Sequence, residues 1–386
     1  MSRKADNNTL FAWVASIPGV GPKWFSILFA KFPDLQELLT ISAESLQNAH
    51  IPEKLSRSIV EYREVHTPED IEEFVTKEKI LLIVNPAYTQ NAVERDPSLI
   101  TQDDKKGYPS LLSEIPDPPV VLYLKGEMPD FSLPAIGVVG TRKITSYGTK
   151  VTKELTAQLV RAGLVIVSGF MYGVDAVAHQ TAIEHGGKTI GVLGYGLGVP
   201  FYPQTHDRLA TQLLESGSCL ITEFAPWQSA IPSNFPRRNR IVSGMSLGIV
   251  VTEAAKKSGS LITASLAVDQ GREVFAVPGP IHSPYSEGTK ALINMGAKLV
   301  TTGQDILEEL NIGSEAARNE SRSSLPPQFS STLEEAIYTY IVENTEVSLD
   351  ELLMYSKIPA RELSVLLAKF ELLGLISQTP GTVHLL

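Results

Sequence analysis

Positive charge is concentrated in the segment FPRRNR, residues 235–240, although the 386-residue chain carries a formal net charge of −10. Arg237, Arg238 and Arg240 come directly before IVSGMSLGIVVTEA, which has the pattern of a buried helix turn followed by a core strand. Pro236 fits the first position of that helix, so the arginines are expected in its first turn. There the helix dipole disfavours each cation by about 0.3–1 kcal/mol. The segment therefore needs a compensating negative charge.

That negative charge can be an external anion or a carboxylate of the chain itself. Glu223 and Glu253 each follow an apolar run and are the candidate internal partners. The external anion is the favoured explanation. Arg238 and Arg240 can also divide the two roles, with one bracing the fold and the other facing a ligand.

Glycines end the apolar run in GVVGTRKITSYG, residues 137–148. At a strand-to-helix turn they allow close backbone approach, and the helix start offers free N–H groups and a partial positive charge. Only Gly137 and Gly140 fit the dinucleotide fingerprint, and Arg142 would collide with a tightly held pyrophosphate. The turn instead suits an external phosphate, unless Arg142 and Lys143 simply face solvent beside an ordinary tight turn.

A second turn of the same kind is VSGFMYGVDAVAH, residues 167–179. Ser168 and the N–H group of Gly169 suit an anion. Asp175 and His179 lie four residues apart on one helix face, which is compatible with acid–base chemistry but more often gives a local hydrogen bond. We therefore expect no catalysis from this pair.

Two lysines and two serines mark a third helix start in TEAAKKSGSLITASLA, residues 252–267. Serine hydroxyls and free N–H groups at such a start can hold an oxyanion. Ordinary N-capping explains one serine there, but it does not explain the adjacent lysines. The residues of this candidate site are Lys256, Lys257, Ser258, Gly259 and Ser260.

The tetrapeptide GGKT, residues 186–189, resembles the end of a Walker A loop but fails as one. Ala182 stands where the motif needs its first glycine, and KTIGVLG runs into a strand rather than a helix. An ATP-binding loop is therefore excluded. Lys188 either edges the basic surface or is an ordinary solvated lysine.

Together these segments place groups for phosphate at four or more strand ends along one edge of a sheet. The sequence offers neither a cluster of Mg²⁺ ligands nor a nucleophile–base pair beside them. We therefore expect a non-enzymatic protein, without cofactor or metal, that holds a polyanion rather than cutting it.

Nine short β-rich runs alternate with helical patterns between residues 73 and 311. Most of them are almost wholly apolar, as is typical of parallel strands covered on both faces. The pattern predicts an α/β fold with an extended Rossmann-like, doubly wound and mostly parallel sheet. The runs are KILLIVN, VVLYLKG, AIGVVGT, LVIVSG, TIGVLG, CLITEF, LGIVVTEA, EVFAVPG and AKLVT.

Different patterns flank this sheet. Residues 1–72 predict a helical domain of SAM or helix-hairpin-helix type, whose turn at 17–32 we expect to serve packing or protein contact rather than DNA contact. Residues 312–330 are polar and rich in Ser and Pro, as is typical of a linker. Residues 331–386 predict helix, helix, longer helix and hairpin, the order of a winged-helix domain. This segment holds 3 Lys and Arg against 8 Asp and Glu, so we expect it to contact protein rather than DNA.

Charge and composition restrict the class of protein further. Residues 136–300 hold 15 Lys and Arg against 10 Asp and Glu, a local net charge of +5 that leaves −15 for the remainder. Partners respond to such local fields more than to the total charge. A single cysteine, Cys219, indicates a reducing compartment, and no apolar run reaches the roughly 18 residues of a membrane span. The N-terminus lacks the apolar core of a signal peptide, so we expect a cytoplasmic chain with no membrane partner.

Six motifs, in this order, resemble those of the DNA-processing protein A family (DprA, also called Smf): GVVGTR, VSGFMYGVDAVAH, GGKTIGVLGYGLGVPFYP, FPRRNRIVSGMS, TEAAKKSGSLITA and GREVFAVPG. The resemblance covers residues 108–310, beginning with YPSLLSEIPDPPVVLYLKG, and the flanking modules fit the layout of the family. It implies a bacterial, cytoplasmic, non-enzymatic protein of natural transformation, or competence. Such a protein would protect incoming single-stranded DNA, form homodimers and help to load the RecA recombinase.

The resemblance carries predicted DNA contacts onto particular residues of this chain. These are Gly140, Thr141, Arg142, Ser168, Gly169, Arg238, Asn239, Arg240, Ser258, Gly259 and Ser260. Charge and position add the basic residues Lys143, Lys188, Arg237, Lys256 and Lys257.

Two positions depart from the family pattern. Tyr172 stands before Gly173, where a basic residue is common, and so removes a phosphate contact. It can stack a base instead, which is worth about 1–3 kcal/mol. His206 occupies the place of a usual asparagine, and neither change is expected to disturb the fold.

Two other functions compete with DNA binding. A nucleotide-processing phosphoribohydrolase of the lysine-decarboxylase-like type has a related sheet, but its PGG-x-GT-x-x-E motif is matched only by PGPIHSPYSEGTKALI at 278–293, out of register. Incubation with nucleoside monophosphates would release free base if that alternative held. A protein scaffold with acidic ends explains the acidic tail but not the basic sheet edge.

Overall fold

A computed structural model describes residues 7–88, 107–312, 331–344, 346–372, 376–379 and 382–385. The chain divides into two compact units, Met1–Ile312 and Gly313–Leu386. The helical segment and the sheet segment, which the sequence separates at 72/73, both lie in the first unit.

Short helices form the N-terminal part of the first unit. Those described are α1 (Asn7–Ser16), α2 (Pro22–Lys31), the 3₁₀ helix Leu35–Leu39, α3 (Ala43–Asn48), α4 (Glu53–Arg63) and α5 (Pro68–Glu78). Helix α5 begins with a capping box in which the side chains of Thr67 and Asp70 each accept a hydrogen bond from the other residue's backbone N–H. The predicted boundary at 72/73 falls inside this helix.

These helices share one hydrophobic core with the edge of the sheet. Trp13, Phe25 and Leu28 are fully buried, and the same core contains Ile80 and Tyr123 of the first two strands. The helices therefore form a layer on the sheet rather than a core of their own.

Each of the nine runs predicted as strands forms a strand, and together they make one sheet. The strands are β1 (Ile80–Val84), β2 (Val121–Gly126), β3 (Ala135–Val139), β4 (Val165–Ser168), β5 (Thr189–Val192), β6 (Cys219–Thr222), β7 (Gly248–Val251), β8 (Glu273–Ala276) and β9 (Lys298–Leu299). Their order is β1-β2-β6-β5-β4-β3-β7-β8-β9. Strand β2 pairs antiparallel with both β1 and β6, and every other neighbouring pair is parallel. The predicted mostly parallel, doubly wound α/β fold is confirmed.

Helices connect the parallel strands and bury them. They are α6 (Ser110–Ser113), α7 (Ser146–Arg161), α8 (Val174–Glu184), the 3₁₀ helix Gln204–His206, α9 (Asp207–Glu215), α10 (Asn234–Gly244), α11 (Gly259–Asp269), α12 (Glu287–Asn294) and α13 (Gly303–Glu309). All residues of β3, β4, β5, β6 and β7 are buried, which explains why these strands read as continuous apolar runs.

The strand order reverses beside β3. Strands β4, β5 and β6 follow on one side of it, and β7, β8 and β9 follow on the other. The loops after β3 and β7 therefore diverge and leave a crevice at the carboxyl ends of the strands, which is the usual ligand position in such sheets.

The second unit has the winged-helix order. It contains α14 (Thr332–Asn344), β10 (Glu346–Ser348), α15 (Leu349–Ser356), α16 (Ala360–Leu372), β11 (Ile376–Thr379) and β12 (Thr382–Leu385). The strands form an antiparallel sheet in the order β10-β12-β11 around a core that includes Ile337, Leu352 and Phe370. The three helices and the hairpin match the prediction, whereas the short strand β10 was not predicted.

The predicted linker at 312–330 lies outside the described residues except for Ile312, which packs against the core of the first unit. The helices that are described include none with the length and apolarity needed to cross a membrane.

Candidate functional site

A cleft of about 560 Å³ lies at the switch point of the sheet. It is lined by the loops that follow β3, β4 and β7 and by one face of α10. The predicted site residues that line it are Gly140, Thr141, Arg142, Lys143, Gly169, Arg238, Asn239, Lys257, Ser258, Gly259 and Ser260. Four sequence motifs thus meet in one place. Three of them follow strand ends and the fourth lies on α10, whereas the sequence predicted four or more strand ends.

Three exposed cations border this cleft. Arg142, Lys143 and Lys257 are exposed, and none of them forms an ion pair with a residue in the described part of the chain. Asp175 is the one carboxylate among the described lining residues, and it is buried. The accessible charge of the cleft is therefore positive although the chain as a whole is acidic.

An aromatic platform stands beside these cations. The Arg142 guanidinium lies 5.4 Å from the centroid of the Phe235 ring, and that of Arg238 lies 5.9 Å from it. Tyr202 is 41% exposed, and its ring centroid lies 5.7 Å from that of Phe235. The sequence analysis did not predict either aromatic residue as part of the site. Phe235 could have been predicted, because it is the first residue of FPRRNR and lies three residues before Arg238.

The loop after β3 is held by Glu253 at the end of β7. Its carboxylate accepts hydrogen bonds from the Thr145 N–H at 2.9 Å and the Thr145 hydroxyl at 2.7 Å. The Thr141 N–H donates to the Glu253 carbonyl at 2.7 Å. Gly173 has a φ of +77°, and a Cβ there would meet the Thr141 carbonyl, so this turn needs glycine. Glu253 thus shapes the Arg142 loop and forms no ion pair with an arginine in the described part of the chain.

The start of α11 is capped by its own serines. The Ser258 hydroxyl lies 2.7 Å from that of Ser260 and accepts from the Ser260 N–H at 3.4 Å. Ordinary N-capping therefore explains Ser258. Lys257 lines the cleft from this turn, whereas Lys256 is exposed but does not line it.

Arg238 is buried beneath the cleft. It is 2% exposed, and its guanidinium donates to the carbonyl oxygens of Gly169 and Val192. Burial lowers its pKa to about 10, while the carboxylate of Asp175 opposes that shift. Burial raises the pKa of Asp175, and the Arg238 guanidinium opposes it. Arg238 therefore joins the ends of β4 and β5 and has a buried carboxylate as its counter-ion.

Arg237 and Arg240 face away from the cleft. Arg240 binds Glu223 at 2.7 Å and Asp117 at 2.9 Å, and Arg237 binds Glu223 at 3.2 Å. Burial lowers the pKa of Arg240, but the carboxylates of Glu223 and Asp117 outweigh it and raise the pKa. The structure does not bring these two arginines to the cleft. Their compensating charge is the internal carboxylate of Glu223 rather than the external anion that the sequence favoured.

Helix α10 begins at Asn234, two residues before the predicted start at Pro236. Arg237 consequently lies at the end of the first turn, and Arg238 and Arg240 lie beyond it, where the dipole effect has largely faded. The prediction that the helix dipole disfavours all three arginines is therefore wrong. The direction of each arginine side chain follows from its position in the helical period.

Two further predicted residues lie outside the cleft. Ser168 is fully buried, and its hydroxyl donates to the Val138 carbonyl at 2.6 Å. Lys188 precedes β5 and donates to the Gly217 carbonyl at 2.9 Å. It stands at the amino end of a parallel strand, opposite the edge that holds the cleft, so the prediction that it edges the basic surface is wrong.

The Asp175 and His179 pair is not an acid–base dyad. His179 is fully buried, and its Nδ1 lies 2.7 Å from the Thr189 hydroxyl rather than near the carboxylate. Burial lowers the pKa of His179 to about 3, which keeps the ring neutral. Asp175 instead accepts from the Met171 N–H at 3.2 Å. Both side chains therefore serve the fold.

The fold and the cleft define a Rossmann-like protein with a cationic site at the switch point of its sheet. The sequence model of the DNA recombination-mediator protein A family matches residues 98–311, and that of the DprA winged helix domain matches residues 321–382. Because the first match covers more than half of the chain, the chain belongs to the DNA recombination-mediator protein A family. It is a protein of DNA processing, and the family is that of a recombination mediator rather than of an enzyme.

Known relatives agree with this assignment. Protein Smf of Escherichia coli is 45% identical over 210 residues, which are 54% of this chain and 56% of that protein. The DNA processing protein DprA of Streptococcus pneumoniae is 42% identical over 226 residues, 58% of this chain and 78% of that protein. The X-ray structure of DNA processing protein A from S. pneumoniae superposes with a TM-score of 0.61 at 32% identity, covering 78% of this chain and 98% of that one. The resemblance recognised from the motifs is thereby confirmed.

Proposed function

We propose that this chain binds single-stranded DNA in the cleft at the switch point of its sheet and acts there as a recombination mediator. The observation that carries the proposal is that three exposed cations, none of them in an ion pair with a described residue, meet the ring of Phe235 in one cleft. Cations that track a backbone, together with an aromatic ring for unstacked bases, are the usual means of holding a single strand without reading its sequence.

Family membership supports the finer parts of the proposal. A mediator of DNA recombination would protect incoming single-stranded DNA during natural transformation and help to load RecA onto it. It would do so as a homodimer in the cytoplasm. These steps rest on the resemblance to the family, whereas the DNA contacts rest on the geometry of the cleft.

A mobility-shift assay tests the proposal. Labelled single-stranded and double-stranded oligonucleotides of the same sequence are compared at two salt concentrations. We expect the single strand to bind more tightly, because its bases can reach the Phe235 ring, and to bind more weakly at the higher salt concentration. Equal binding of both forms, or binding that ignores salt, would contradict the proposal.

A further inference from the structure

The loop between β4 and α8 has a strained backbone. Phe170 has a φ of +55°, in the left-handed region that non-glycine residues rarely adopt. Its neighbours Gly169 and Met171 both line the cleft. Such a conformation persists only where the surrounding structure fixes it, and it is common at functional sites.

Two buried charged side chains fix this loop from opposite sides of Phe170. On one side the Arg238 guanidinium donates to the Gly169 carbonyl and, across the gap between strands, to the Val192 carbonyl. On the other side the Asp175 carboxylate accepts from the Met171 N–H at 3.2 Å. Arg238 lies on α10 and Asp175 on α8, so two helices hold one short loop.

Gly169 shows how closely these groups approach the loop. A Cβ at this position would lie 2.7 Å from Nη2 of Arg238 and 2.7 Å from Oδ2 of Asp175. Real Cβ atoms do not approach other atoms so closely, so the arginine and the carboxylate occupy the space that a side chain would need. The glycine of this motif therefore makes room for the charged pair.

We propose that Arg238 and Asp175 are positioning residues, which hold the backbone of residues 169–171 in the shape that the DNA cleft requires. Arg238 does not neutralise a DNA phosphate, because its guanidinium is buried, donates to two carbonyl oxygens and lies in the field of the buried Asp175 carboxylate. This assignment rests on the proposed DNA-binding function, and it replaces the direct phosphate contact that the sequence predicted for Arg238.

The dependence of binding on salt separates a positioning role from a phosphate contact. Arg238→Met is compared with Arg142→Met, the same substitution at an exposed arginine of the same cleft. We expect Arg238→Met to weaken binding to a labelled oligothymidylate about tenfold or more, as expected for the loss of charged hydrogen bonds, with the log–log salt slope unchanged. Arg142→Met should reduce that slope by about 0.7. A matching reduction for Arg238→Met, or unchanged affinity, would overturn the assignment.

Hydrogen exchange provides a readout that does not depend on DNA. In Asp175→Asn and Arg238→Lys, which keep the size or the charge of the side chain, we expect the amide of Met171 to exchange about tenfold faster, while amides of β3 stay protected. Unchanged exchange at Met171 would refute the positioning role even if both variants bound DNA poorly. The wild-type chain could fail to bind DNA while Met171 exchanged faster in both variants. That result would contradict the proposed function but would support the role of Arg238 and Asp175 in holding residues 169–171.

Discussion

The basic residues of FPRRNR divide between the two sides of α10. Arg238 and Asn239 lie on the side of the cleft, whereas Arg237 and Arg240, three residues apart, both reach Glu223. Adjacent arginines therefore do different things: one joins strand ends, one is buried in an ion pair, and one is an exposed partner of the same carboxylate.

The buried ion pair of Arg240 should dominate stability. Both Arg240 and Glu223 are about nineteen-twentieths buried in this pair. Arg240→Ala leaves the buried carboxylate with only the half-exposed Arg237 as a partner and should lower the free energy of unfolding by about 3 kcal/mol. Arg237→Ala is the matched control, because Arg237 binds the same carboxylate but is 45% exposed, and it should cost less than about 1 kcal/mol. Urea denaturation measures both. Equal losses of stability in the two variants would show that burial of the Arg240–Glu223 pair does not determine its contribution.

The Phe235 ring should strengthen DNA binding without changing how that binding depends on salt, because the ring carries no charge. Phe235→Leu removes the aromatic face beside Arg142, and we expect it to weaken binding of single-stranded DNA by about 1–3 kcal/mol with the same salt slope. Phe131→Leu is the control, since Phe131 is also half-buried but does not line the cleft. Fluorescence anisotropy titrations provide the measurement. An equal effect of the two substitutions would remove the case for stacking on Phe235.

At the scale of the elements, strands were predictable because a parallel sheet covered on both faces leaves continuous apolar runs. The start of α10 was not, because Pro236 fits a helix start so well that Asn234 was overlooked. That error of two residues did not change the spacing of the arginines. The side of the helix that faces the cleft could not be predicted, because it depends on how α10 packs on the sheet. The prediction for Lys188 was wrong for a different reason. Lys188 comes directly before β5, so it lies at the amino end of the strand, and this position could be read from the sequence.

Helix α8 and strand β5 should make the fold sensitive to acid through His179. The Thr189 hydroxyl donates to the Ile166 carbonyl, so His179 must donate from Nδ1 to that hydroxyl. Its Nε2 is then buried without a partner among the described residues. Protonation of the ring would place a charge at that position, which is why the pKa of His179 is lowered from 6.5 to about 3.

This shift makes His179 destabilising at low pH. Below pH 6.5 the unfolded chain gains a proton at this residue that the folded chain does not, until the pH reaches about 3. The folded state should therefore lose about 2 kcal/mol between pH 6.5 and pH 5 through this group. Urea denaturation at several pH values measures the slope, and His179→Gln is the control that should flatten it. An unchanged slope in the variant would assign the acid sensitivity to other groups.

At the scale of the whole molecule, charge is divided between the parts of the chain. The segment 136–300 carries +5 within a chain of −10, and the cleft lies in it. Total charge alone would argue against a nucleic-acid protein, and only the local count together with the sheet topology reveals the site. The aromatic platform could not be inferred in this way, because an aromatic residue in a mostly apolar chain is more often part of the core.

The winged-helix unit should be dispensable for binding in the cleft. All residues that line the cleft lie in Met1–Ile312, and residues 331–386 are acidic with a core of their own. A chain ending at Ile312 should therefore bind single-stranded DNA with the affinity and salt slope of the full chain. Its circular dichroism spectrum checks that it is folded. A large loss of affinity in the folded truncation would show that the second unit contributes DNA contacts.

The dependence of DNA affinity on salt tests the central claim most directly. The variant Arg142→Ala/Lys143→Ala/Lys257→Ala removes the three exposed cations of the cleft, and none of them forms an ion pair with a described residue, so the fold should be unaffected. Each phosphate contact on a single strand contributes about 0.7 to the log–log slope, so the variant should bind more weakly with a slope smaller by about 2. A variant that is folded and keeps the affinity and slope of the wild type would show that single-stranded DNA does not bind in this cleft.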